Sequence, residues 1–372
     1  MKLFSLILLL FNLTPLHNAG FRGDGITIAV IDAGFFRAND STIFPQSHIL
    51  GSYDLLAGDS LAVDSLGMFD NPTNAHGAMV LSTMLYEDSA AGFVGTAPDA
   101  SFYLIRSEDS PAEYYGEVER LARAFRLADS LDVDIVTVSL GYSTFDDIDD
   151  QPNPRNYSYA DMDGTSVAAR AAIELARHGR LVVVSAGNDG NKEWHYIATP
   201  ADADSILTVG AVDVYNHDTI AYFSSFGPTA DGRLKPEVSA SGWNALVYRT
   251  NAQDSLGQYV GGVLPANGTS FAAPAVAGMA ACLWQALPNL SAMELRELIM
   301  QSASLYPLHD PQAGYGVPDA WFAYSGERTA LTPTTQDPPE NGKRIENGQL
   351  IIIKNGIKYT LLGHIIEKND EK

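Results

Sequence analysis

Apolar positions along the chain fall into two textures. Five short runs rich in β-branched residues are ITIAVID (26–32), SFYLIR (101–106), DIVTVSL (134–140), LVVVSAG (181–187) and SILTVGAVD (205–213). Most are continuous rather than alternating, the pattern of a strand covered on both faces. Between them the spacing turns helical. YYGEVERLARAFRLADSL (114–131) sets Val118, Leu121, Phe125 and Leu127 near one helical face. TSVAARAAIELARHG (165–179) ends in Gly179, a good residue for a helix C-terminus. Strands alternating with helices predict a mainly parallel central sheet with helices on both sides, a three-layer α/β/α domain. In such sheets a site forms at the carboxyl ends of the strands.

The ends of the chain differ from this middle. MKLFSLILLLFNLTPLHNAG opens with one cation, Lys2, and an apolar run to Phe11. The run is too short to span a bilayer comfortably and has the charged and apolar regions of a secretory signal. Residues 1–18 are therefore expected to be a signal peptide with no obvious cleavage motif, the competing reading being a buried N-terminal helix. Residues 19–326 form the main domain. Residues 327–346, with TPTTQDPPENGKR, are polar and Pro-rich and predict a linker. In 347–372, two apolar stretches flank Asn355-Gly356, which predicts a small C-terminal β-hairpin. A lone hairpin is marginal in water, so it is expected to dock on something.

Composition narrows the partners more than the fold. At 372 residues and 46% hydrophobic content, one large domain with small additions is expected. The formal charge of -22 comes with no basic block, which argues against nucleic acid, since phosphate binding needs a cationic face. One cysteine, Cys282, excludes an intramolecular disulfide and a multi-cysteine metal site; in its apolar run it reads as a buried thiol.

Candidate chemistry sits at four points. NGTSFAAPAVAG (267–278) places Ser270 at the head of a run of helix formers. Ser is a good helix cap, so a nucleophile needs a base, an orienting group and an oxyanion donor elsewhere. Asp32 closes the first strand, His76 opens the apolar stretch HGAMVLSTML, and Asn188 lies in the Gly-rich turn after the strand 181–187. Each is ordinary alone. Together they stand in the order Asp, His, Asn, Ser at strand ends and helix starts, and Asp, His, Ser is the chain order of subtilisin.

The chain resembles the subtilisin-like serine proteases. The resemblance rests on VIDAGF, AHGAMV, SLGY, SAGNDG, SSFGPTADGRLKPEVSA and NGTSFAAPAVAG, and covers roughly residues 20–323. It implies a serine endopeptidase with Ser270 as nucleophile, His76 as general base and acid, and Asp32 orienting the imidazole. It implies an oxyanion hole from the Asn188 amide and the Ser270 backbone N–H. The helix after Ser270 would present its N-terminal dipole there, and Pro274 is expected to be tolerated within its first turn. Ser139, Leu140 and Gly141, with Ser185, Ala186 and Gly187, would flank the substrate pocket, and the first segment would pair with an extended peptide. Asp189 is placed at the pocket rim or in a solvated turn.

Two positions depart from the family pattern. Ala33 replaces the usual Thr or Ser after the catalytic Asp, and Gly77-Ala78 replaces Gly-Thr after the His. Neither removes a catalytic atom. They are the only support for the alternative, a catalytically degenerate scaffold that binds peptides without cleaving. Structural calcium, frequent in the family, has no recognisable acidic loop here, and no other cofactor is expected. The remaining expectations are protein or peptide substrates, no stable membrane span, a monomer, and a secreted or cell-surface location. Secreted members usually carry a pro-domain that assists folding. The resemblance begins close to the written start, so either that start is truncated or the chain folds without such a helper, and slow, poor refolding is expected.

Overall fold

The computed structural model describes residues 6–60, 72–88, 91–109, 113–146, 156–327, 342–346, 349–354, 357–360 and 365–367. In chain order these form α1 (Leu6–Leu10), α2 (Thr14–Asn18), β1 (Thr27–Asp32), β2 (Ile49–Asp54), α3 (His76–Leu85), β3 (Glu87–Asp88), β4 (Phe93–Val94), β5 (Ser101–Arg106), α4 (Gly116–Ser130) and β6 (Ile135–Val138). Next come α5 (Val167–Arg177), β7 (Leu181–Ser185), β8 (Leu207–Asp213), β9 (Val238–Trp243), β10 (Ala245–Tyr248), β11 (Val263–Ala266), α6 (Thr269–Ala286), α7 (Ala292–Ser302) and α8 (Ala320–Ser325). The tail holds β12 (Gly342–Glu346), β13 (Gln349–Lys354), β14 (Ile357–Thr360) and β15 (Ile365–Glu367).

Seven strands make the central sheet in the order β2-β5-β1-β6-β7-β8-β9. Every neighbouring pair is parallel. The continuous apolar strands follow from burial on both faces. Along β1, Ile28 and Val30 enter the core under α3 and α6, while Ala29 and Ile31 enter the core under α4 and α5. The expected α/β/α layering is thus present. The expected strands all form, and β2 and β9 join them at the two edges.

Helix α6 is buried along nearly its whole length, from Thr269 to Leu283. It is rich in alanine, and small side chains let it lie close to β6, β7, β8 and β9. Pro274 sits inside this helix, beyond the first turn in which its missing N–H would cost nothing. The carbonyl it leaves without an intrahelical donor is that of Ser270, and the Ser139 hydroxyl donates to it at 2.8 Å. A strand-end serine thus compensates the proline and ties the head of α6 to the end of β6.

The apolar start of the chain is part of this core. Leu8, Leu10, Phe11, Leu13 and Leu16 are buried in the same cluster as α3 and α6. The Phe11 carbonyl accepts from Ala320 N–H at 2.8 Å, and Asn12 donates to Asp319 at 3.2 Å. The boundary expected between residues 18 and 19 therefore falls inside packed structure: from Leu8 onward the segment behaves as a core helix pair. The buried thiol of Cys282 donates to the Thr96 carbonyl at 3.1 Å, beside the ring of His17, and burial pushes it well above the usual thiol range.

The tail exceeds the expected hairpin. Strands β13 and β14 do pair antiparallel from Lys354 and Ile357 outward, with Asn355-Gly356 itself outside the described residues, but β12 and β15 extend them to a four-stranded sheet. The linker expected over 327–346 lies mostly outside the described residues.

Candidate active site

The carboxyl ends of β1, β6 and β7 and the head of α6 converge on one place. Asp32, the last residue of β1, is fully buried. His76 is the first residue of α3, and its Nδ1 lies 2.7 Å from Asp32 Oδ1. Gly77 makes this approach possible. A Cβ there would stand 2.6 Å from the Gly34 carbonyl oxygen and 2.9 Å from Asp32 Cβ, so any larger residue would push α3 off the strand. The Gly77 N–H instead donates to the Gly34 carbonyl at 2.9 Å. On its other side, the His76 ring packs against Phe271, with centroids 5.8 Å apart.

Burial alone would make the His76 imidazolium less stable, but the neighbouring Asp32 carboxylate, its hydrogen bond and the more distant Glu108 outweigh this, so the pKa is raised above the ordinary 6.5. Asp32 is less completely served. Its Oδ1 accepts from His76 and from the Ala33 N–H at 2.8 Å, while Oδ2 is buried with no hydrogen-bond partner among the described residues. The hydroxyl missing at Ala33 is a donor that position could have supplied.

Ser270 is the second residue of α6 and almost buried; Gly268, not Ser270, is the cap residue. The first turn of the helix directs unpaired N–H groups toward the space beside the serine. Asn188 reaches that space from the turn after β7. Its Oδ1 accepts from the Thr269 N–H at 2.9 Å and the Thr269 hydroxyl at 3.1 Å, which leaves Nδ2 as the free end. Gly268 separates the two groups: a Cβ built on it would lie 3.6 Å from Ser270 Oγ and 3.7 Å from Asn188 Nδ2. The adjacent Gly187 N–H is held by the Thr269 hydroxyl at 3.1 Å.

A cleft of about 500 Å³ opens at this point. All six pocket positions expected from the sequence, Ser139, Leu140, Gly141, Ser185, Ala186 and Gly187, line it beside His76, Asn188 and Ser270. Asp189 lines it too and pairs with Lys192 at 2.8 Å. Thr269, which fixes the Asn188 amide, and Glu108, which also faces the cleft, were not singled out by sequence. Thr269 reads as a generic helix-start residue, and Glu108 lies in a polar loop, EDSPAE, of solvated appearance. No group of three or more metal-ligating side chains occurs among the described residues, and none of their helices is long and apolar enough to cross a membrane.

A carboxylate on one ring nitrogen of a histidine, a serine at a helix head and an amide donor beside it can together carry out acyl transfer. The model of the subtilase family matches residues 23–323. Subtilisin DY from Bacillus licheniformis is 27% identical over 287 residues, covering 77% of this chain and 86% of that one. Serine protease AprX from Bacillus subtilis (strain 168) is 28% identical over 321 residues, covering 82% and 67%. In fold, the chain is similar to the MycP3 protease from the type VII (ESX-3) secretion system, with a TM-score of 0.66 at 22% identity, covering 88% and 89%. The chain belongs to the subtilase family and is a subtilisin-like serine endopeptidase.

Proposed function

We propose that Ser270, His76 and Asp32 hydrolyse peptide bonds through an acyl-enzyme intermediate, with Asn188 as an oxyanion donor. The observation that carries this reading is the 2.7 Å contact between His76 Nδ1 and Asp32, which fixes the tautomer and leaves the other ring nitrogen as the base. In the first half-reaction Ser270 Oγ attacks the substrate carbonyl carbon and its proton passes to His76. The carbonyl oxygen, now an anion, is received by Asn188 Nδ2 and the first N–H groups of α6. His76 returns the proton to the leaving amine as the C–N bond breaks. Water repeats the sequence on the acyl ester and frees Ser270. Asp32 stays ionised throughout and stabilises the imidazolium.

The substrate is read as an extended peptide laid along 139–141, its side chain before the scissile bond entering between that segment and 185–187. The chain acts as a monomer on proteins or peptides outside the cytoplasm. That location is read from the apolar start, which stays packed in the enzyme from Leu8 onward instead of being cut away as a leader.

The test is labelling with a fluorophosphonate, followed by mapping of the modified residue. Labelling confined to Ser270, and abolished by His76→Ala, is the expected result. Absence of labelling in folded protein would instead support the peptide-binding scaffold without activity.

A further inference from the structure

Two carboxylates in the cleft have no part in the mechanism above. Glu108 lies just past the end of β5 and lines the cleft with His76 and Ser270. The hydroxyl of the fully buried Tyr142 donates to its Oε2 at 3.1 Å. Among the described residues it has no cation. The two nearby arginines are engaged elsewhere: Arg106 with Asp54, Asp109 and the Ala33 carbonyl, and Arg120 with Glu117, Tyr114 and the Ser107 carbonyl. Glu113, ahead of α4, faces the same cleft, also without a cation among the described residues. The one lysine in the lining, Lys192, is paired with Asp189.

Burial, with Glu113 and Asp32 nearby, pushes the Glu108 carboxyl up to about 8. A carboxylate in that setting lacks a counter-ion, and the cleft gives it room for one from outside the chain.

Strand order says where on a substrate that counter-ion would be. The order β5-β1-β6-β7 puts 139–141 and 185–187 at the ends of β6 and β7, and Ala33 and Glu108 at the ends of the neighbouring β1 and β5, where His76 lies against Asp32. Successive side chains of an extended peptide point to opposite faces. If the residue before the scissile bond enters between β6 and β7, the residue before that one points toward His76 and Glu108.

We propose that Glu108, assisted by Glu113, is a specificity residue that selects a lysine or arginine at the second position before the scissile bond. The proposal rests on the peptidase reading of the cleft and deepens it.

The experiment uses the full chain carrying Ser270→Ala, so that binding is measured without turnover. Peptides with lysine, norleucine or glutamate at the second position before the expected bond are titrated calorimetrically, above the pH at which Glu108 ionises. Lysine is expected to bind about tenfold more tightly than norleucine, the scale of one hydrogen-bonded charge pair, and glutamate more weakly than either. Adding Glu108→Gln, which keeps an acceptor for Tyr142, should remove most of the lysine advantage. Glu113→Gln, at an exposed site, should reduce it about twofold by weakening a screened attraction. Moving the lysine one position either way should also lose it. Equal binding of lysine and norleucine, or a lysine advantage that survives Glu108→Gln, overturns the proposal. The unmutated chain is given the same peptides in parallel. Cleavage without lysine preference sinks the subsite alone, whereas lysine-dependent binding without cleavage keeps the subsite and sinks the peptidase reading.

Discussion

Asn188 points its amide nitrogen toward the nucleophile because Thr269 has taken its carbonyl oxygen. The Thr269 N–H and hydroxyl both donate to that oxygen, at 2.9 and 3.1 Å. The side chain cannot flip without losing both bonds, so the donor is oriented before any substrate arrives. Such preorganisation is what makes an oxyanion donor effective.

Asn188→Ala should therefore lower kcat by about 10² to 10³ and leave KM nearly unchanged, since the oxyanion exists only in the transition state. Thr269→Val should act in the same direction but less, because the Thr269 N–H still holds the amide. Thr269→Ser should restore the rate. Steady-state kinetics on one peptide suffices, and an effect of Asn188→Ala on KM alone would refute the oxyanion role.

The pH profile follows from the His76–Asp32 contact. His76 must be neutral to accept the Ser270 proton, and its neighbours raise its pKa above 6.5. Activity should thus rise with pH along an acid limb whose midpoint in kcat/KM lies above 6.5 rather than below it. Ala33→Ser offers a hydroxyl to Asp32 Oδ2, which has no partner among the described residues. By sharing the carboxylate charge it should weaken the hold on the imidazolium and move the limb to lower pH. A limb unmoved by this change would show that the added hydroxyl does not reach Asp32.

What could be read from the sequence divides along physical lines. Asp32, His76, Ser270 and Asn188 were legible because each closes or opens an apolar element, so burial pattern and chemistry marked the same residues. Ser139 was expected at the pocket, yet its bond to the Ser270 carbonyl was not, because that bond exists only where β6 meets α6. Glu108 was invisible for a related reason: a glutamate in a polar loop looks solvated until the fold turns it into a cleft. The first helices were ambiguous in principle, since a run of leucines suits a signal peptide and a buried helix alike. The tail showed its turn but not its outer strands: GKRIE is polar and lacks a strand signature, and IIE is too short to carry one.

The tail gives a prediction of its own. The family match ends at residue 323, and α8 closes at Gly326 in the left-handed conformation that commonly terminates helices. A chain ending at Gly326 should keep its peptidase activity and thermal stability. Loss of soluble, active enzyme on that truncation would show that the sheet of β12 to β15 is structural.

The opposite end should behave differently. Leu10, Phe11, Leu13 and Leu16 are buried at 4% exposure or less, packed into the core that also holds α3 and α6. Burial of one such side chain is worth about 1.5–3 kcal/mol. Four of them together thus approach the about 5–15 kcal/mol that holds a typical domain folded. The same segment carries His17, whose ring bonds the Thr96 carbonyl at 3.0 Å, and the Phe11 carbonyl that holds α8. A chain starting at residue 19 should therefore unfold far more readily than one starting at residue 6, and Leu16→Ala alone should cost about 2–5 kcal/mol. Because His76 rides on α3, which shares this core, activity should be lost together with stability. Denaturant unfolding of the three chains, with fluorophosphonate titration of active sites, measures both. N-terminal sequencing of the enzyme recovered from cells completes the test: a mature protein that begins at residue 19 and is as stable as the longer chain would show that the segment is a removable leader after all.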